Sequence, residues 1–204
     1  MDACLRVRLG HGKLCRNAKA AAAALSYIAV FPREKGCRPM PDEPAQEESP
    51  EFHRQVAEAA VKVALLEAES HGFETDNDNR GPRVDEYQMV NKTLHQAWCA
   101  KFVYWCFMQA ALGKAVANPF PRIFAAGALE KWGTKEKRMV TDPTSGDVLV
   151  RNHNHVGLVI GPAVAGTVPS VEGNTYAGTN YANRKEGVYK LNSTKVRECT
   201  FLRL

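Results

Sequence analysis

Trp98-Cys99-Ala100-Lys101-Phe102-Val103-Tyr104-Trp105-Cys106 opens a segment that runs to Gly113 and divides the chain. Cys99, Phe102, Val103, Cys106 and Ala110 fall at i, i+3, i+4, i+7 and i+11, the apolar stripe of a helix. Gly113 suits its end. On the N-terminal side the pattern stays helical. Ser49 reads as an N-cap and Pro50 as N1, followed by Val56, Ala60, Val63, Ala64 and Glu67 at helical spacing up to Gly72. Pro82 starts a short second helix carrying Val84, Tyr87 and Val90. A fourth helix is expected from about Arg122 to Trp132, ended by Gly133.

Beyond Gly133 the period changes. Short β-rich runs are expected at Asp147–Val150, His155–Gly161, Val168–Glu172, Gly187–Leu191 and Cys199–Leu204, separated by Gly, Pro and Asn. Helices first and strands afterwards predict an α+β domain, with N-terminal helices packed on a C-terminal antiparallel sheet.

Outside that domain, residues 1–50 differ in composition. Basic residues dominate up to Lys19, and an apolar run from Ala20 to Phe31 follows. Basic then apolar is the order of a secretory signal, yet Pro32-Arg33-Glu34-Lys35 offers no small-residue cleavage site, so we read a leader rather than an export signal. Residues 38–50, with four prolines and four acidic residues, read as a linker. The expected division is therefore 1–50 leader and linker, 51–204 folded domain.

Composition sets bounds on function. The chain has 204 residues and a formal charge of +5, mild enough that no nucleic-acid partner is expected. No run approaches the ~20 apolar residues of a membrane span. The six cysteines lie at 4, 15, 37, 99, 106 and 199 and form no CxxC, which argues against zinc-ribbon and thioredoxin chemistry.

Cys99 sits in the first turn of its helix, where unpaired N–H groups and the helix dipole stabilise a thiolate. Cys106, two turns further in, reads as a small core residue. A thiol nucleophile needs a base. On the strand opening at His155, the ring shares a face with Gly157 and Val159, and Gly157 leaves space beside the imidazole for a helix end or substrate. Glu172, on the next run, is placed to orient His155 if the two strands pair, although spacing alone favours reading Glu172-Gly173-Asn174 as a polar turn. Asn174 either does the same through its amide or ties down the loop. Trp98, at the helix start, is a candidate to line a sugar- or peptide-binding groove, with core packing the safer reading. His153-Asn154-His155 also reads as a metal pair on one strand face, with Asp147 or Glu172 completing it. Asp76-Asn77-Asp78-Asn79-Arg80-Gly81 begins like a calcium loop but carries Arg80 at position 5 and Tyr87 at position 12.

The motif around Cys99 resembles the nucleophile motif of CHAP domains (cysteine, histidine-dependent amidohydrolases/peptidases), relatives of NlpC-type peptidoglycan hydrolases. Gly146-Asp147-Val148-Leu149-Val150, His155-Val156-Gly157-Leu158-Val159 and Val171-Glu172-Gly173-Asn174-Thr175 resemble that family's later motifs, in order. Asn79-Arg80-Gly81-Pro82 and Tyr87 resemble a segment upstream of the cysteine. The resemblance spans roughly residues 53–204. It implies a papain-like fold and cleavage of an amide in bacterial peptidoglycan, either the muramoyl–alanine amide or a stem or cross-bridge peptide bond.

By motif match Cys99 is the nucleophile, His155 the base and then acid, Glu172 the orienting carboxylate, and Asn174 an addition some members make. No cofactor is implied and no metal residue is assigned, but some CHAP enzymes bind calcium near their N-terminus, which leaves the Asp76–Gly81 loop a candidate. Peptidoglycan is the implied partner, and the site of action is the cell wall or periplasm. A lysin, a wall-remodelling enzyme and a delivered antibacterial toxin all fit, the last bringing delivery and immunity proteins. The alternatives are an inactive wall- or partner-binding CHAP module and a metal hydrolase built on His153 and His155.

Overall fold

The computed structural model describes residues 49–70, 73–176 and 185–204. The leader and most of the linker lie outside the described residues, as does Gly72, expected to end the first helix. Four helices, α1 (Pro50–Ser70), α2 (Pro82–Gln88), α3 (Cys99–Gly113) and α4 (Ala126–Lys135), precede six strands. These are β1 (Met139–Val140), β2 (Val148–Arg151), β3 (His155–Val159), β4 (Thr167–Thr175), β5 (Gly187–Lys195) and β6 (Cys199–Leu202). They form one antiparallel sheet in the order β1-β6-β2-β3-β4-β5. The protein is α+β, as the change of period predicts.

Local chemistry accounts for the helix boundaries. Ser49 caps α1: its Oγ accepts from the Phe52 N–H at 3.3 Å and its carbonyl accepts from the same group at 2.9 Å. Val56, Ala57, Ala60, Val61, Ala64 and Glu67 are the buried side of α1, and Glu67 is tolerated there because Tyr87 and Arg83 both donate to its carboxylate. Burial on α3 exceeds a single stripe. Ala100, Lys101, Tyr104, Trp105, Phe107 and Ala111 are buried along with the predicted positions, because α3 is enclosed by α1, α2 and the sheet. The Lys101 ammonium ends on the Thr93 carbonyl and hydroxyl, both at 2.8 Å.

The fourth helix departs from expectation. It begins at Ala126 rather than near Arg122 and continues through Gly133 to Lys135. Gly133 does not end it. A Cβ there would lie 2.0 Å from Leu202 Cδ2, so this glycine permits close approach of α4 to β6. The two-residue β1 was not expected either; it pairs Met139 with Leu202 and Val140 with Phe201 at the edge of the sheet.

The core divides between the two sheet faces. Val148, Val150, Val156, Leu158, Val171 and Leu202 pack with the helices, while Leu149, Val159, Val168 and Phe201 make a smaller cluster on the other face. This alternation fixes the register, and a one-residue slip would exchange the faces.

Candidate active site

Two register pairs assemble the site. Arg151 lies opposite His155 across β2 and β3, and Gly157 lies opposite Glu172 across β3 and β4. His155 is therefore two residues from the point where Glu172 crosses. The Glu172 stem fills the place a side chain at Gly157 would take, since a Cβ there would sit 2.7 Å from Glu172 Cγ. The space expected beside the imidazole is thus occupied by the carboxylate, not left for a helix end or substrate.

Glu172 is fully buried. Its Oε1 accepts from Ser170 Oγ at 2.7 Å and Thr194 Oγ1 at 3.0 Å. Its Oε2 lies 2.9 Å from His155 Nε2 and 3.2 Å from Arg151 Nη2. The imidazole–carboxylate contact is close but not in line, so Nε2 and Oε2 meet as an ion pair without a well-aligned hydrogen bond. Burial alone would raise the Glu172 pKa, but the contact with His155, its charge and that of Arg151 hold the carboxyl below its ordinary value.

Cys99 is the first residue of α3 and is buried. With Nε2 turned to Glu172, the other ring nitrogen of His155 is left for the thiol. Burial pushes the thiol up. The His155 hydrogen bond and charge, with the backbone N–H groups of Val156 and Ala100, outweigh burial and hold it below its ordinary value. His155 responds in the opposite sense. Burial lowers its pKa, yet the Cys99 hydrogen bond, the close Glu172 contact and the charges of both push it up to about 9. A lowered thiol beside a raised imidazole is the electrostatic arrangement of a thiolate–imidazolium pair, able to attack a carbonyl carbon and return a proton.

The structure brings Cys99, His155 and Glu172 together. It places Asn174 and Trp98 differently. The hydrogen bonds of Asn174 go to the frame around the helix start: Oδ1 accepts from the Trp98 N–H at 3.0 Å, and Nδ2 donates to Glu74, Asn79 and Glu186, each at 3.2 Å. Of the two readings of Asn174, its contacts are those of a residue tying down the loop. Its φ of 56° suits this, since asparagine accepts the left-handed region better than most residues.

Of the two readings of Trp98, the structure corrects the groove position and bears out core packing. Its side chain is fully buried, stacks on Tyr87 at 5.5 Å and donates from Nε1 to Glu74 Oε1 at 2.8 Å. A ring so enclosed has no face left for substrate. Glu74, unexpected from sequence, is the buried acceptor beneath this frame, holding Trp98, Asn174 and the Asn79 N–H.

The metal pair is also corrected. Asn152 and His153 have positive φ, so His153 lies in a turn before β3. His153 points outward to Glu130, while His155 is committed to Glu172 and Cys99. Asp147 is held by a two-pronged contact with Arg203, at 2.9 and 2.8 Å. No group of three or more metal-ligating side chains occurs among the described residues. In the loop from Asp76 to Gly81, Asp78 accepts from the Arg80 N–H at 3.1 Å and pairs with its guanidinium at 3.2 Å. Arg80 thus takes the position-5 place with a cation.

Residues 91–174 match the family model described as the CHAP domain. Over that interval the chain is similar to CHAP domains. The matched interval contains Cys99, His155, Glu172 and Asn174. No curated protein and no solved structure matches the chain. The motif around Cys99 opens α3, and the later resembling motifs form the three neighbouring strands β2, β3 and β4. Arg151, at the end of the first of these strands, was not singled out from sequence. A charged residue directly after the apolar run Val148–Val150 was the available sign.

Proposed function

We propose that this CHAP-like domain hydrolyses an amide bond of bacterial peptidoglycan by a thiol mechanism. CHAP domains are typically hydrolases of this polymer, and the observation carrying the reading is the contact of Cys99 with His155 and of His155 with Glu172. The Cys99 thiolate attacks the amide carbonyl, and N–H groups of the first α3 turn stabilise the oxyanion. His155 gives its proton to the leaving amine, forming a thioester and neutral imidazole. The imidazole then takes a proton from water, whose oxygen attacks the thioester and releases Cys99. Glu172 keeps the ring oriented and supports its charged form.

We place the catalytic unit at residues 51–204, with 1–50 as leader and linker. The enzyme acts in the cell wall or periplasm as a lysin, a wall-remodelling enzyme or a delivered antibacterial toxin. Among the described residues no helix is long and apolar enough to cross a membrane. The test is digestion of defined peptidoglycan by wild type and Cys99→Ala, with the cleaved bond read by mass spectrometry. Wild type should release new amino and carboxyl termini at one bond, and Cys99→Ala should release none. Clearing of purified sacculi by folded Cys99→Ala would overturn the mechanism.

A further inference from the structure

Arg151 shares the carboxylate that orients the imidazole. Its Nη2 lies 3.2 Å from Glu172 Oε2, the same oxygen that lies 2.9 Å from His155 Nε2. The other oxygen is occupied by Ser170 and Thr194. One buried anion therefore faces two groups that can carry positive charge. A guanidinium is charged throughout the accessible pH range, whereas the imidazole is charged only part of the time.

We propose that Arg151 is a positioning residue that limits how tightly Glu172 holds a proton on His155, so that the ring can release it to the leaving amine. This rests on the Cys99–His155–Glu172 reading given above. A buried carboxylate with no competing cation would hold the imidazolium so firmly that it became a poor acid. A carboxylate neutralised entirely would leave the imidazole uncharged and the thiol protonated. Arg151 sets a value between these limits. It also keeps Glu172 ionised when His155 is neutral, which spares the site an unpaired buried anion in that half of the cycle.

The groups facing the pair are few. From α3 come Cys99, which hydrogen-bonds the ring, and Lys101, whose ammonium feels the thiol. From β6 comes Cys199, whose thiol burial and then Glu172 push up to about 11, leaving it neutral below that pH. Ser170 and Thr194 on β4 and β5 are uncharged. On β2, Arg151 is thus the permanent charge in contact with Glu172.

The experiment uses Arg151→Gln, which keeps a hydrogen-bond donor but loses the charge, with Arg151→Met as a second neutral variant and Arg151→Lys as the charge-retaining control. The histidine ring signals of the full chain are titrated by NMR, with the His155 signal assigned by its loss in His155→Gln. The neutral variants should raise the His155 pKa by roughly one pH unit, about a tenfold gain in proton affinity, and Arg151→Lys should restore it. An unchanged or lowered value in folded Arg151→Gln or Arg151→Met would overturn the proposal; a lowered value would mean that Arg151 only props Glu172 in place. Failure of the catalytic reading is seen separately, as digestion by Cys99→Ala.

Discussion

Gly157→Ala tests the crossing of β4 behind β3. The added Cβ would meet Glu172 Cγ at 2.7 Å, with Glu172 Cδ and Leu149 Cδ1 each at 3.3 Å. Ordinary carbon contact begins near ~3.4 Å, so the Glu172 stem must retreat by about 0.7 Å. If the whole shift is passed to the carboxylate, its contact with His155 opens from 2.9 Å to about 3.6 Å. At an effective dielectric constant of ~20 this loses roughly 1 kcal/mol of attraction, or ~0.8 pH unit from an imidazole pKa of about 9.

Overpacking in a full interior adds ~1–3 kcal/mol of destabilisation, a fall of several degrees in Tm for a domain of this size. Two assays read the two effects. Differential scanning calorimetry gives the Tm. The pH dependence of iodoacetamide alkylation, followed on the Cys99 peptide by mass spectrometry, gives the step at which the imidazolium loses its proton. Both should move down. A folded variant with unchanged Tm and an unchanged alkaline step would refute the claim that Gly157 exists to admit Glu172.

Asn174→Gly keeps the left-handed backbone and removes only the side chain. It should cost about 1–3 kcal/mol in urea unfolding by leaving the Trp98 backbone N–H without its acceptor and Glu74 with one donor fewer, and it should slow alkylation of Cys99; a variant as stable as wild type would remove Asn174 from the frame. The acid limb of stability should contain a Glu172 component. Its carboxyl is held below 4.5 in the fold, so its contribution is present above about that pH and lost as pH falls through the folded value. The stability gap between wild type and Glu172→Gln should therefore shrink as urea midpoints are measured from pH 6 down to pH 3, and a gap that stays constant would contradict this account.

The parts legible in the sequence were those set by periodicity. Cys99 is placed at a helix start by spacing alone, and His155 and Glu172 fall on consecutive runs, which an antiparallel sheet can pair but need not, since β5 and β6 are consecutive and do not pair. The less legible parts depend on which groups meet across the fold. Trp98 has the composition of a binding residue, but Glu74, 24 positions earlier, draws its indole N–H into the core. Gly133 has the appearance of a helix terminator, and only the proximity of Leu202 shows otherwise. Gly157 was correctly seen as a gap in the strand face, but what fills a gap is a property of the partner strand. His153 and His155 share a strand face only if the strand already runs at 153, and the positive φ values at 152 and 153 delay it.

Cys99 and Cys106 provide an internal comparison. They share α3, they share its stripe, and both are buried. Burial raises the pKa of each thiol, and at Cys106 it prevails, leaving the group well above its ordinary value with Glu67 adding to the rise. At Cys99 the same penalty is overcome, and the net shift is downward. The local reasons are the Ala100 N–H of the first helical turn, the Val156 N–H of β3 and above all His155. His155 can carry the needed charge because Glu172 lies behind it, and Glu172 can stay ionised while buried because Arg151, Ser170 and Thr194 surround it. The series Cys99, His155, Glu172, Arg151 alternates in the sign each member carries when ionised, and its members come from α3, β3, β4 and β2. An antiparallel sheet with β3 between β2 and β4, and a helix starting against it, brings those four positions together. The opposite shifts of the two thiols follow from where the helix begins relative to that sheet, rather than from the helix itself.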